Sequence, residues 1–239
     1  QRFFPEEEPP LPDRPSIAVL PFDNIGPADN DFLCEGMVEN ILTHLARFEN
    51  LRVISRTSSS RFKNSSSSLP QIAAELGVDY ILEGSVRQEG EQLRITAQLI
   101  QTANDQHIWA KSYDRNRTNI MEIESTLARE IARSLNQTIS PKLARRLEQQ
   151  PTANTQAYNA LLRGRHLMRT RTQEGLQASI QEFDRALQLD STFSQAFAEK
   201  ATAYILLADL GYAANQQNLL RQAEKFVLLA IKADANNAQ

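Results

Sequence analysis

Apolar residues change their spacing along this chain. Up to about residue 118 they come in short runs and alternations, and from Asn119 onwards they recur every three or four residues. Ile17-Ala-Val-Leu-Pro-Phe22, Val53-Ile-Ser-Arg-Thr-Ser58 and Tyr80-Ile-Leu-Glu-Gly-Ser-Val-Arg87 are apolar runs that close on Pro, Ser or Gly. They predict strands over 16–22, 51–54 and 80–87, because runs of this length bounded by turn residues suit a buried strand. Gly90 then marks a hairpin turn, and Leu93, Ile95, Ala97 and Leu99 alternate with Arg94, Thr96 and Gln98 at the strand period of two. After a turn at Asn104-Asp105, His107–Tyr113 is the last strand. Between the strands, Leu33, Met37, Ile41, Leu45 and Phe48 form a helical stripe that Asp29 or Asn30 can cap. The Ser-rich stretch 56–68 reads as a loop, and Leu69–Leu76 as a short helix stopped by Gly77. The expectation is a small mixed sheet with helices packed on one face.

In the second half Ile120, Ile123, Leu127, Ile131, Leu135 and Ile139 predict one long helix that Pro141 kinks or restarts, bridging the two halves of the chain. Pro151-Thr-Ala-Asn154 breaks it. Beyond lies an internal repeat. Ser179, Phe183 and Ala186 align with Ala223, Val227 and Ala230, each set preceded by a helix near 158–167 or 197–204. Small residues let paired helices approach, and large ones fill the space between units. This pattern resembles tetratricopeptide repeats, helical hairpins of about 34 residues. The offset is longer here, which places extra residues near 209–217, and Ser191 and Ala235 stand where the family usually has proline. Two degenerate units need a cap, either from the 119–147 helix or from further repeats.

The ordered blocks IAVLPF, RTSSSRFK, AAELGVDYILEGSVR, LRITAQLI and HIWAKSYDR, from Ser16 to Arg115, resemble the domain similar to the TolB amino-terminal domain. The resemblance implies an α/β domain set before tetratricopeptide repeats. It also implies a bacterial protein whose other end is a winged-helix regulator, a class III nucleotide cyclase or a kinase, often with a membrane helix between. A periplasmic setting is implied with it, with the cytoplasm as the alternative. The fold class expected is therefore α/β, a small mixed sheet with helices, followed by all-α tetratricopeptide-like hairpins. The boundaries are a Pro-rich linker over 1–15, the α/β domain over 16–118, a bridging helix over 119–150 and the repeats over 151–239.

Composition narrows the function. The net charge of −3 supplies no field that draws the chain to nucleic acid or an anionic membrane. A single cysteine, Cys34, excludes an internal disulfide and reads as a small buried filler. Pro5, Pro9, Pro10, Pro12 and Pro15 among Glu6, Glu7 and Glu8 make an extended charged linker, read as a flexible tail or as a juxtamembrane stalk of a longer protein. His44, His107 and His166 are spread along the chain without a nucleophile or a metal cluster beside them, so no catalytic residue, metal or cofactor is expected. His44 reads as a solvated or satisfied helix residue and His107 as packed beside Trp109.

Two places invite a ligand. Tyr158, Leu161, Arg165 and Arg169 lie on the first repeat helix, where the tetratricopeptide family lines its groove, and guanidinium forks suit a peptide carboxylate. The alternative is a solvated face neutralised by Glu174 and Glu182. A crevice beyond the strand ends is expected near Asp23, Asn24, Arg56 and Ser58, where α/β sheets hold small molecules. The leading expectation is a non-catalytic sensory and interaction region that binds a protein or peptide through its helical repeats, with a membrane-anchored parent and oligomers allowed. A cyclase-type enzyme's regulatory region and a small-molecule receptor stand as alternatives.

Overall fold

The computed structural model describes residues 14–90, 92–116, 120–212 and 215–237, with side chains described as far as 234. The linker expected over 1–15 lies almost wholly outside the described residues.

Strands β1 (Ser16–Val19), β2 (Asp23–Asn24), β3 (Arg52–Val53), β4 (Tyr80–Glu89), β5 (Gln92–Gln101) and β6 (Gln106–Asn116) form one six-stranded sheet in the order β3-β1-β4-β5-β6, with β2 also paired to β4. β1 runs parallel to both β3 and β4, and β4, β5 and β6 form an antiparallel meander. The strand expected over 16–22 is interrupted. Pro21 has no N–H for the ladder, and pairing with β4 resumes only at β2, opposite Ser85 and Val86.

Helix α1 (Asp31–Leu45) buries Leu33, Met37, Ile41 and Leu45 as the stripe predicts, and Phe48 beyond its end is buried as well. The stretch read as a loop starts with a short helix, α2 (Arg56–Ser60), whose cap Ser55 accepts the Ser58 N–H at 3.3 Å. Helix α3 (Leu69–Leu76) starts at a Ser68–Gln71 capping box and ends at Gly77 with φ 62°, a left-handed turn that a side chain would resist. Helices α4 (Ile120–Ser134) and α5 (Pro141–Glu148) replace the single bridging helix, broken where Asn136 takes φ 55° and Ser140 caps α5 by accepting the Leu143 N–H.

Helices cover both faces of the sheet, a correction to the one-face expectation. Ile17 and Val19 join the core built by α1 and α4, while Ala18 and Leu20 pack with Ile72, Ala73 and Leu76 of α3. Adjacent β1 residues point to opposite faces, and both faces of this strand are apolar because both are covered. α4 lies against α1 and β6, where Tyr113 donates to Glu130 at 2.8 Å, and its Glu124 also meets the second half through Tyr158.

Helices α6 (Thr155–Met168), α7 (Gln173–Leu189), α8 (Ser194–Asp209) and α9 (Gln216–Asn237) pack in succession as helical hairpins. Ser179, Phe183 and Ala186 are fully buried, and Phe183 lies flat on Gly164, where a Cβ would stand 2.4 Å from its ring. Their counterparts on α9 diverge. Ala223 is buried, but Val227 is 41% exposed. No helix among the described residues is long and apolar enough to cross a membrane.

The two halves share one core. Residues of α1, α4, α6 and α7 belong to a single buried cluster that continues into the sheet. At the centre of the seam Gly36 meets Leu162, and a Cβ on Gly36 would stand 2.6 Å from a Leu162 methyl. Leu162 is itself buried and has little room to yield. Gly36→Val is therefore expected to lower stability by about 1–3 kcal/mol through overpacking. A fall in the urea midpoint by both far-ultraviolet circular dichroism and Trp109 fluorescence checks this, since a shared core makes the halves unfold together.

Candidate functional site

The connections after β1 and β3 leave the sheet on opposite faces. One leads into α1 and the other through α2 to α3, so the carboxyl ends of these neighbouring parallel strands part to form a crevice. It encloses about 490 Å³, within the range of small-molecule sites. Of the residues expected here, Asp23, Asn24 and Arg56 line it, whereas Ser58 turns away to Ser55 Oγ at 3.0 Å, and Ser59 and Ser60 take its place. The one-residue error stems from reading a loop where α2 forms. The helix rotates successive side chains by about 100°.

The crevice has two unlike walls. From the β1 side come Asp23, Asn24 and Asp31, with Asn24 Nδ2 donating to Asp31 Oδ1 at 2.7 Å. From the β3 side come Arg56, Ser59, Ser60, Lys63 and Asn64. Phe22, Cys34 and Val38 are its buried apolar members. Cys34 is the buried filler expected, and burial followed by the nearby Asp31 carboxylate pushes its thiol up to about 12, which keeps it unreactive.

Glu35 closes the crevice and joins it to the helical half. Its Oε2 lies 3.0 Å from His166 Nδ1 and pairs with Arg169, while Arg56 approaches to 3.9 Å. Burial raises its pKa, but the hydrogen bonds from His166 and Arg169 outweigh burial and hold it below the ordinary carboxylate range.

The groove residues are engaged elsewhere than expected. Arg169 pairs with Glu35 and Glu39 of α1, and Arg165 with Glu199 of α8 at 2.7 Å and Glu39 at 3.7 Å. Leu161 is fully buried, and Tyr158 is 2% exposed with its hydroxyl donating to Glu124 at 2.6 Å. Among the described residues no single groove is lined by all four, although Tyr158 borders a wider cleft. Carboxylates of α1 occupy the place assigned to a peptide carboxylate. Of the expected neutralising partners, Glu182 does take an arginine of this helix, Arg163, at 3.1 Å, whereas Glu35, Glu39 and Glu199 serve Arg165 and Arg169. What the sequence reading missed is that Phe32, Glu35, Gly36, Glu39 and Asn40 form a second stripe on α1, which looks like a solvated face because it is mostly polar.

A wider cleft of about 1160 Å³ opens at the other end of α1, bordered by Asn40, His44, Arg47, Glu124 and Asp190. Its polar groups largely satisfy one another. Arg47 donates to the Arg146 carbonyl, Asp190 accepts from Thr152 and Thr192, and Glu124 accepts from Tyr158 and Asn40. His44 is the exception. The residue is half-buried, its Nδ1 is buried without a partner, and burial, then Arg47, lowers its pKa to about 4, so the expected solvated or satisfied role holds only in part. His107, expected to be packed, is exposed on β6.

Glu124 is the buried acid of the seam. Burial raises its pKa to about 8 from an ordinary 4.5, against the lowering effect of Tyr158 and Asn40. The folded state thus favours its protonated form. The stability this contributes is complete below 4.5 and is lost as pH rises to about 8. Glu124→Gln is expected to flatten that dependence and to be more stable than the parent at alkaline pH, by on the order of 2–4 kcal/mol. Urea midpoints of both proteins on either side of the window check it, and parallel pH profiles would count against the assignment.

Comparison with known proteins places this geometry. A protein of Rhizobium meliloti (strain 1021) named "Putative adenylate cyclase 3" is 37% identical over 161 residues, 67% of this chain. The chain spans 27% of the length of that relative. Among solved structures, TolB from Acinetobacter baumannii is similar with a TM-score of 0.41 and 17% identity, over 51% of this chain and 28% of its own. Lipoprotein GNA1162 from Neisseria meningitidis is similar with a TM-score of 0.38 and 19% identity, over 50% of this chain and 99% of its own. Residues 13–161, which hold the sheet, the crevice, α1 and the Glu124–Tyr158 pair, match the model described as "HilA/YgeH-like transcriptional regulator, second domain", and the chain belongs to that family.

Proposed function

We propose that this chain is the non-catalytic sensory and protein-interaction region of a bacterial membrane-anchored signalling protein whose effector is a transcription regulator or a nucleotide cyclase. The family and the cyclase-named relative support a signalling role. The observation that carries the reading is Glu35, one carboxylate that closes the crevice and also receives Arg169 and His166 of the helical half. A small molecule entering the crevice competes for Arg56 and shifts the balance around Glu35, and α6 feels the change. Helices α6 to α9, read as tetratricopeptide-like hairpins, form the output surface for a protein or peptide. Leu220, Val227, Leu228 and Ile231 of α9 are exposed there. In this reading nucleic acid is not a direct partner, and the fragment itself turns over no nucleotide. In this reading the region lies on the extracytoplasmic side of the inner membrane, with the cytoplasm as the alternative.

The sole cysteine reports on the coupling. Cys34 lines the crevice one residue from Glu35, so its alkylation rate at fixed pH measures how often this wall opens. Arg169→Ala, a change in the helical half, is expected to speed labelling about tenfold, the equivalent of ~1.4 kcal/mol in local opening. An unchanged rate would mean the halves do not communicate through Glu35.

A further inference from the structure

The charges of the crevice are sorted by wall. The β1 wall carries Asp23 and Asp31, and the β3 wall carries Arg56 and Lys63. Among the described residues, three of these four lack a hydrogen bond to any side chain, Asp23 and Lys63 at the exposed rim and Arg56 further in. Asp23 and Lys63 have neither a side-chain hydrogen bond nor an ion pair there. Arg56 has only the 3.9 Å approach to Glu35, with its side chain 33% exposed. Glu35 cannot serve Arg56 fully, because Arg169 and His166 already hold the same oxygen. Burial, and then the neighbouring Arg169 guanidinium, disfavour the charge on Arg56. A half-buried guanidinium beside another cation, with its donors unspent, is a place where an anion is stabilised. The opposite wall presents a free carboxylate, which is a place for a cation. Between them Phe22, Cys34 and Val38 offer apolar surface for a short side chain.

A purely anionic ligand would leave Asp23 facing negative charge, and a purely cationic one would meet Arg56 and Lys63. We propose that the crevice binds a small zwitterion of the free amino acid kind, with its carboxylate on Arg56 and Lys63 and its ammonium on Asp23. The proposal rests on the reading of the crevice as the signal input and names the input's chemical class. The volume of about 490 Å³ accommodates a molecule of that size together with water.

The test uses the whole chain labelled with nitrogen-15. Free L-amino acids are titrated one at a time, with inorganic phosphate, acetate and methylamine as single-charge probes. At least one amino acid is expected to move the amide signals of Asn24, Ser59 and Ser60, at concentrations where the single-charge probes do not. Asp23→Asn and Lys63→Gln, both outside the core, should each weaken that binding about tenfold, as loss of one charge-assisted contact does. Equal response to phosphate or acetate would reduce the crevice to an anion site and overturn the proposal, as would the absence of a response to every amino acid. A zwitterion that binds while Cys34 labelling ignores Arg169→Ala would instead uphold the ligand class and remove the sensory reading.

Discussion

Helix α1 is packed from two sides, and the rest of the molecule depends on that. Leu33, Met37, Ile41 and Leu45 join the core over the sheet, while Glu35, Gly36, Glu39 and Asn40 meet α6 and α4. A helix normally buries one stripe and leaves the other wet. Here the second stripe is lined with groups that α6 completes, so the α/β half and the helical half cannot each close their surfaces alone. The bare backbone at Gly36 sets how near the two helices come, and the charged pairs on either side of it set their register.

The register-setting groups are costly to bury, which says what they are for. Arg165 has a side chain only 12% exposed. Burial alone would lower its pKa, but Glu199 and Glu39 overcome this and keep it charged. Ion pairs of this kind add little net stability over apolar contacts, because desolvation offsets most of their attraction. Their effect lies in the difference between the paired and the unpaired arrangement. A slide of α6 along α1 by one turn would leave Arg169 facing at most one of the two carboxylates it now bridges, and would set Leu162 against a side chain instead of the bare backbone of Gly36. The close approach at Gly36 and the Arg169 bridge therefore fix the register together, while Arg165 keeps Glu199 of α8.

The elements that depend on local pattern were legible. The meander of β4, β5 and β6 follows from alternation and turn residues, and the end of α3 from its glycine stop at Gly77. The site was half legible. Asp23, Asn24 and Arg56 were found because chain ends of parallel strands gather at a predictable place, and Ser58 was misplaced because a five-residue helix leaves too short a pattern to read. The partners of Arg165 and Arg169 were not legible, because Glu35 and Glu39 lie more than a hundred residues away and charge carries no period that names its counterpart. The break between α4 and α5 was hidden for another reason. Leu135 and Ile139 keep the apolar spacing through the turn at Asn136, so the stripe continues where the helix does not.

Position then links architecture to signalling. The crevice touches the N-terminal half of α1, through Asp31, Cys34, Glu35 and Val38, and the polar cleft touches its C-terminal half, through Asn40, Thr43, His44 and Arg47 just past its end. Anything that draws the crevice walls together acts on the helix that also carries the α6 interface. A rigid helix transmits a small displacement at one end to the other without needing to bend. The Glu35–Arg169 contact sits at the boundary of the crevice and the α6 interface. Weakening it from the crevice side or from the helical side therefore loosens the same joint. One carboxylate is shared between the two halves, beside the core they hold in common.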